Sequence, residues 1–115
     1  MTRNVSLDVE WVPSACTLPT AEQPLRVAEF DALFADAVRG VARPEHTRLR
    51  LELVFSPDNA ARAAELAARE NGCCSFFTFT VTIADGGLAL EATVPAGHVG
   101  VLDALQARAV AAAAL

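Results

Sequence analysis

The sequence contains no lysine, and its nine cationic side chains are arginines scattered along the chain. With fourteen Asp and Glu the formal net charge at pH 7 is −5. There is no basic patch, so nucleic acid is not expected as a direct partner. The arginine- and alanine-rich, lysine-free composition is that of a GC-rich genome and carries no functional information. The first twenty residues hold Asp8, Glu10, Pro13 and Pro19 and lack a basic start before an apolar run, so no secretory signal is expected. The longest apolar run, Ala109 to Leu115, is far short of the roughly 20 residues needed to span a membrane. A cytoplasmic location without a membrane partner is the expectation.

Other absences narrow the chemistry. No glycine-rich loop follows a strand to cradle phosphate, and neither a nucleotide nor an organic cofactor is expected. No Gly-x-Ser-x-Gly elbow is present. With only His46 and His98, most hydrolytic triads are excluded unless one of these two is the base. His46 reads as a solvated loop residue and His98 as first-turn packing of a helix. Cysteine is scarce as well: Cys16, Cys73 and Cys74. An odd number with two neighbours, whose direct bridging is strained, is not a disulfide framework, and reduced thiols are expected.

What is present is enough for one domain, residues 1–115, with its own core. Val5 to Val12 alternates apolar and polar residues as a half-buried strand does, with a brief resumption at Ala15 to Leu18. Pro24 to Val41 has helical spacing, with Val27, Phe30, Phe34, Ala37, Val38 and Val41 in one stripe. Gly40, Pro44 and His46 then mark a loop. Arg48 to Phe55 alternates again. Ser56-Pro57-Asp58 reads as a helix cap, a first-turn proline and an acidic first turn, and Asn71-Gly72 as the stop after about Glu70. Ser75 to Ala84 and Leu88 to Val94 read as a hairpin around Asp85-Gly86-Gly87. A last amphipathic helix runs from His98 to about Ala113. The order β-α-β-α-β-β-α, with one apolar face per strand, predicts an α+β two-layer sandwich: a mainly antiparallel sheet with three helices on one face. Its other face, rich in Thr, Arg and Glu with Phe76 among them, is expected to be solvated or to meet a second copy.

The cysteines are the residues to examine for chemistry. Cys73 and Cys74 lie where a helix hands over to a strand, directly after Glu70-Asn71-Gly72. If the helix extends through them, Glu70 lies at i, i+3 or i, i+4 on the same face. A helix C-terminus disfavours thiolate, and Arg69 is the nearest cation in the sequence, so a freely nucleophilic cysteine is not favoured. A thiophilic cation suits the same place because the ion deprotonates its own ligands. Two or three sulfurs fit Hg(II), Cu(I) or As(III). Structural zinc is a poor fit, since the Cys-x-x-Cys spacing is missing.

The pattern Ala15-Cys16-Thr17-Leu18, a helix with Arg26 and Phe30-Asp31-Ala32-Leu33, then Glu70-x-x-Cys73-Cys74-x-Phe76-x-x-Phe79, a hairpin and a final helix resembles a small domain found at the C-terminus of some actinobacterial MerR-family, heavy-metal-type regulators, here as a free-standing copy. The resemblance covers about Ala15 to Leu105. It implies a heavy-metal response through a thiol-bearing metal or metalloid site at Cys16, Cys73 and Cys74, with Glu70 beside them. The chain lacks the helix-turn-helix of those regulators, so a regulatory protein or a second copy of the chain is the expected macromolecular partner. The leading expectation is a binding domain for a soft metal or metalloid ion. The alternatives are a thiol and carboxylate enzyme cleaving carbon–metal bonds with Glu70 as proton donor, and an interaction domain whose cysteines are merely packed.

Overall fold

The structure, a computed structural model, describes residues 23–115. Helix α1 spans Gln23–Ala37, strand β1 Val38–Glu45, strand β2 Arg48–Leu53, helix α2 Pro57–Cys73, strand β3 Thr78–Ala84, strand β4 Gly87–Thr93 and helix α3 Val99–Ala113, which a short 3-10 turn at Ala96–His98 precedes. The strands make an antiparallel sheet in the order β1-β2-β4-β3. Helices packed on its apolar face complete the expected α+β two-layer arrangement. The strand expected over Val5 to Val12, its resumption at Ala15 to Leu18, and Cys16 lie outside the described residues.

Side-chain alternation sets the two layers. On β2, Leu49, Leu51 and Leu53 are buried while Arg48, Arg50 and Glu52 are half-buried. Register extends this face across the sheet. Leu49 lies opposite Ala92 and Leu51 opposite Leu90, and these in turn face Phe79 and Val81 of β3. Phe30, Leu33 and Phe34 of α1 and Leu102 and Leu105 of α3 join these strand residues in one buried cluster. On the outer face Arg50 bonds both Glu52 and Glu91. The β3–β4 turn is a two-residue loop with φ of 53° at Asp85 and 73° at Gly86, the type I′ conformation that matches hairpin twist.

Three expectations are corrected. The segment after Ala37 is an edge strand, not the end of a helix and a loop: Val38 and Val41 continue the helical spacing, but pairing with β2 takes them into the sheet. Helix α2 does not stop at Asn71-Gly72 but runs through Cys73, with Gly72 inside it. Strand β3 starts at Thr78, so Phe76 precedes the strand and packs against the core.

Candidate functional site

The candidate site is built at the C-terminal end of α2. This helix buries Ala63, Leu66, Ala67 and Glu70, one stripe at helical spacing. The stripe that docks α2 therefore carries a carboxylate inward with it, and Glu70 is 0% exposed. A buried carboxylate is costly unless it is paired. Its partner is Arg26 of α1, itself 7% exposed, whose Nη1 donates to Glu70 Oε1 at 2.8 Å. The other oxygen, Oε2, is buried and has no hydrogen-bond partner among the described residues. Burial pushes the Glu70 carboxyl above its ordinary 4.5, and the opposing pull of Arg26 does not cancel it.

The same guanidinium reaches two further groups. Its Nη2 lies 4.0 Å from Cys73 Sγ, and its Nε lies 3.8 Å from Glu29. Cys73 is half-buried and keeps its thiol. Cys74 has left the helix, with φ −125° and ψ 84°, and its N–H closes the last turn by donating to the Glu70 carbonyl at 2.7 Å. Its side chain is 1% exposed and disulfide-bonded. The neighbouring cysteines are not bridged to each other, as the strain argument requires, but the expectation of reduced thiols throughout is corrected at Cys74. Downstream, Phe77 N–H donates to the Cys74 carbonyl at 3.2 Å, and Asn71 Nδ2 donates to the Phe77 carbonyl at 2.6 Å. These bonds fix the turn between helix and strand.

Of the residues singled out in the sequence, Glu70, Cys73 and Cys74 therefore share one helix end. Cys16 lies outside the described residues. Among the described residues no group of three or more His, Cys, Asp or Glu is arranged to hold a metal ion. Arg69, the cation nearest in sequence, is turned away and pairs with Glu29 and Glu65. Arg26, which the residue-by-residue reading passed over, is the cation at the site. Its signal was available: an arginine on the stripe that also carries Phe30, Leu33 and Ala37. His98 stacks flat on Phe76, with ring centroids 4.0 Å apart and planes within 3°, while His46 is exposed in the β1–β2 turn. His46 is thus at the surface and His98 is packed, the placements expected of each.

No known protein family, curated protein or solved structure matches this chain. The site is therefore read from its own chemistry. No helix among the described residues is long and apolar enough to cross a membrane.

Proposed function

We propose that the chain is a cytoplasmic thiol-based binding domain for a soft metal or metalloid ion of the Hg(II), Cu(I) or As(III) class, loaded when the Cys74 disulfide is reduced. The observation that supports this reading is that one helix end carries the Cys73 thiol, a disulfide-forming Cys74 and a buried carboxylate whose Oε2 has no hydrogen-bond partner among the described residues. Reduction of that disulfide returns both of its sulfurs to thiols, the form that soft ions deprotonate and bind. Cys73, Cys74 and Cys16 are the proposed thiol ligands. Thiols release protons on binding such ions, and Glu70 Oε2 is a buried acceptor available either to the ion or to a proton. The likeness of the Ala15 to Leu105 pattern to the regulator domain points to the same ion class.

The test is titration of the reduced chain with Hg(II) and with As(III), following thiolate-to-metal absorbance and melting temperature. A 1:1 endpoint is expected, with stabilisation of about 2.7 kcal/mol when free ion reaches 100 times Kd. Cys73→Ser and Cys74→Ser are each expected to weaken binding by at least about tenfold. Reduced thiols that resist alkylation until the chain unfolds, with no ion-induced rise in melting temperature, would overturn the reading.

A second reading rests on the burial of Glu70, 0% exposed with Oε2 lacking a hydrogen-bond partner among the described residues, which favours the protonated carboxyl. In carbon–metal bond cleavage the thiolates would keep the metal, and the Glu70 proton would pass to the departing carbon. Turnover of an organomercurial that disappears in Glu70→Gln while Hg(II) binding persists would select this reading.

A further inference from the structure

Among the described residues the sheet has two edges, β1 and β3, and they are built differently. Strand β1 carries Arg39, Arg43, Pro44 and Glu45, and its pairing with β2 is broken by register shifts at Val38/Gly40 and at Ala42/Glu45. Charge, proline and bulges are the devices that keep an edge from pairing with another chain. Strand β3 has none of them. From Ser75 to Ala84 there is no charge, no proline and no glycine, and the register with β4 is unbroken over all seven residues. The inward row of β3 also becomes less covered along the strand: Phe79 and Val81 are half-buried, and Ile83 is 59% exposed. A groove of about 530 Å³ between this strand and α2 adjoins this surface, with Ala64, Ala68, Phe79 and Val81 on its apolar side and Asn71, Ser75 and Thr78 on its polar side.

We infer that the β3 edge is a homodimer interface, in which β3 of two copies pair antiparallel about a two-fold axis at Val81. The hairpin geometry selects this register. Across a two-residue loop Ala84 and Gly87 are a hydrogen-bonded pair. Ala84, Thr82, Thr80 and Thr78 therefore direct their backbone groups toward β4. Phe79, Val81 and Ile83 direct theirs toward the open edge. Centring the two-fold on Val81 sets these three residues against the partner's Ile83, the partner's Val81 and the partner's Phe79 as hydrogen-bonded pairs. It uses the whole length Thr78–Ala84, and it keeps each face in phase. On the inner face an aromatic residue meets a β-branched one at both ends, with Val81 against itself between them, a favoured class of cross-strand pair. On the outer face Thr80 meets the partner's Thr82. No charged residue faces another, and the Asp85 turns of the two copies lie at opposite ends of the ladder. This self-complementarity on both faces argues for a second copy of the chain as the occupant.

The experiment is sedimentation equilibrium of the full chain over a range of concentrations. A reversible dimer is expected, tightened by added salt because each copy carries a net charge of −5. Ile83→Lys changes an exposed side chain and leaves the core intact. It is expected to raise the dimer dissociation constant by at least about 100-fold, with an unchanged circular dichroism spectrum. Val81→Lys, which sets two like charges against each other on the axis, is expected to do the same. Ala42→Lys, an exposed site on the β1 edge, is expected to leave the dimer intact. A chain that stays monomeric at millimolar concentration, or a dimer that survives Ile83→Lys, would overturn the inference, as would a dimer broken by Ala42→Lys.

Discussion

The two ends of α2 are made by opposite means. At its start every local rule is obeyed. Ser56 has extended backbone and its hydroxyl accepts from Asn59 N–H at 3.0 Å; Pro57 occupies the first turn and Asp58 faces the positive end of the dipole. At its finish no basic residue occupies the last turn, the glycine lies inside the helix instead of beyond it, and a carboxylate is buried one turn before the end. The first end is held by neighbours in sequence. The second is held by Arg26, 44 residues away, and by the hydrogen bond from Cys74 to the Glu70 carbonyl. Natural chains tend to break local rules where function requires it. The concentration of irregularities at one end of one helix is why chemistry is sought there and not at Ser56.

The largest test of this contrast removes the long-range partner. Arg26→Met keeps an unbranched apolar stem but leaves Glu70 buried without its cation. Breaking a buried pair on one side costs about 3–5 kcal/mol, and urea unfolding at pH 7 is expected to show a loss of that size. The loss should shrink toward pH 4.5, where Glu70 can take up a proton instead of remaining a lone buried charge. A loss of under 1 kcal/mol would mean that the pair behaves as a surface contact, and the two ends of the helix would then differ far less than their structures imply.

The next test acts on the carboxylate itself. Burial makes the folded state hold the Glu70 proton more tightly than the unfolded state does. The stability this group contributes is therefore fully present below the unfolded value of about 4.5 and is lost as pH rises through the higher folded value. Glu70→Gln cannot ionise; it can still accept a hydrogen bond from Arg26, but it leaves that buried guanidinium without its counter-charge, a loss that does not vary with pH. On top of that offset, its stability relative to the wild type is expected to rise with pH from 4.5 upward, by about 1.4 kcal/mol for every tenfold difference in proton affinity between the folded and unfolded states. Chemical unfolding of both proteins at a series of pH values reads this directly. A difference that stays flat with pH would place Glu70 among ordinary paired carboxylates.

The contrast also accounts for what the sequence could reveal. Elements governed by local rules were legible: the cap at Ser56, the alternation of Leu49, Leu51 and Leu53, the Asp85-Gly86 turn and the stripe of α1 as far as Ala37. The misread segments are those settled by partners distant in sequence. Val38 and Val41 fit a helix as well as a strand, and only β2 beside them decides for β1. Asn71-Gly72 is a strong stop by composition, yet the helix passes through it because docking of Leu66, Ala67 and Glu70 onto the core outweighs one unfavourable glycine. At the site, the neighbourhood of Glu70, Cys73 and Cys74 was readable from spacing. The part played by Arg26, the burial of Glu70 and the disulfide at Cys74 were not, because each depends on a contact that spacing along one helix does not encode.

The smallest effects come from one substitution at each end, and they should have opposite signs. Ser56→Ala removes the hydroxyl that satisfies Asn59 N–H and is expected to cost about 1 kcal/mol. Gly72→Ala acts at a position where an added methyl group would meet nothing within 4 Å and where the backbone is helical. If the glycine served as the stop its composition suggests, alanine there would force a strained backbone and destabilise the chain. Because it lies within the helix, alanine should instead stabilise by roughly 0.5–1 kcal/mol, through lower backbone entropy in the unfolded chain. Thermal or urea unfolding of the two variants against the wild type resolves both signs. A loss of stability in Gly72→Ala would show that α2 needs flexibility beside its cysteines, and the irregular end would then be irregular in its motion as well as in its contacts.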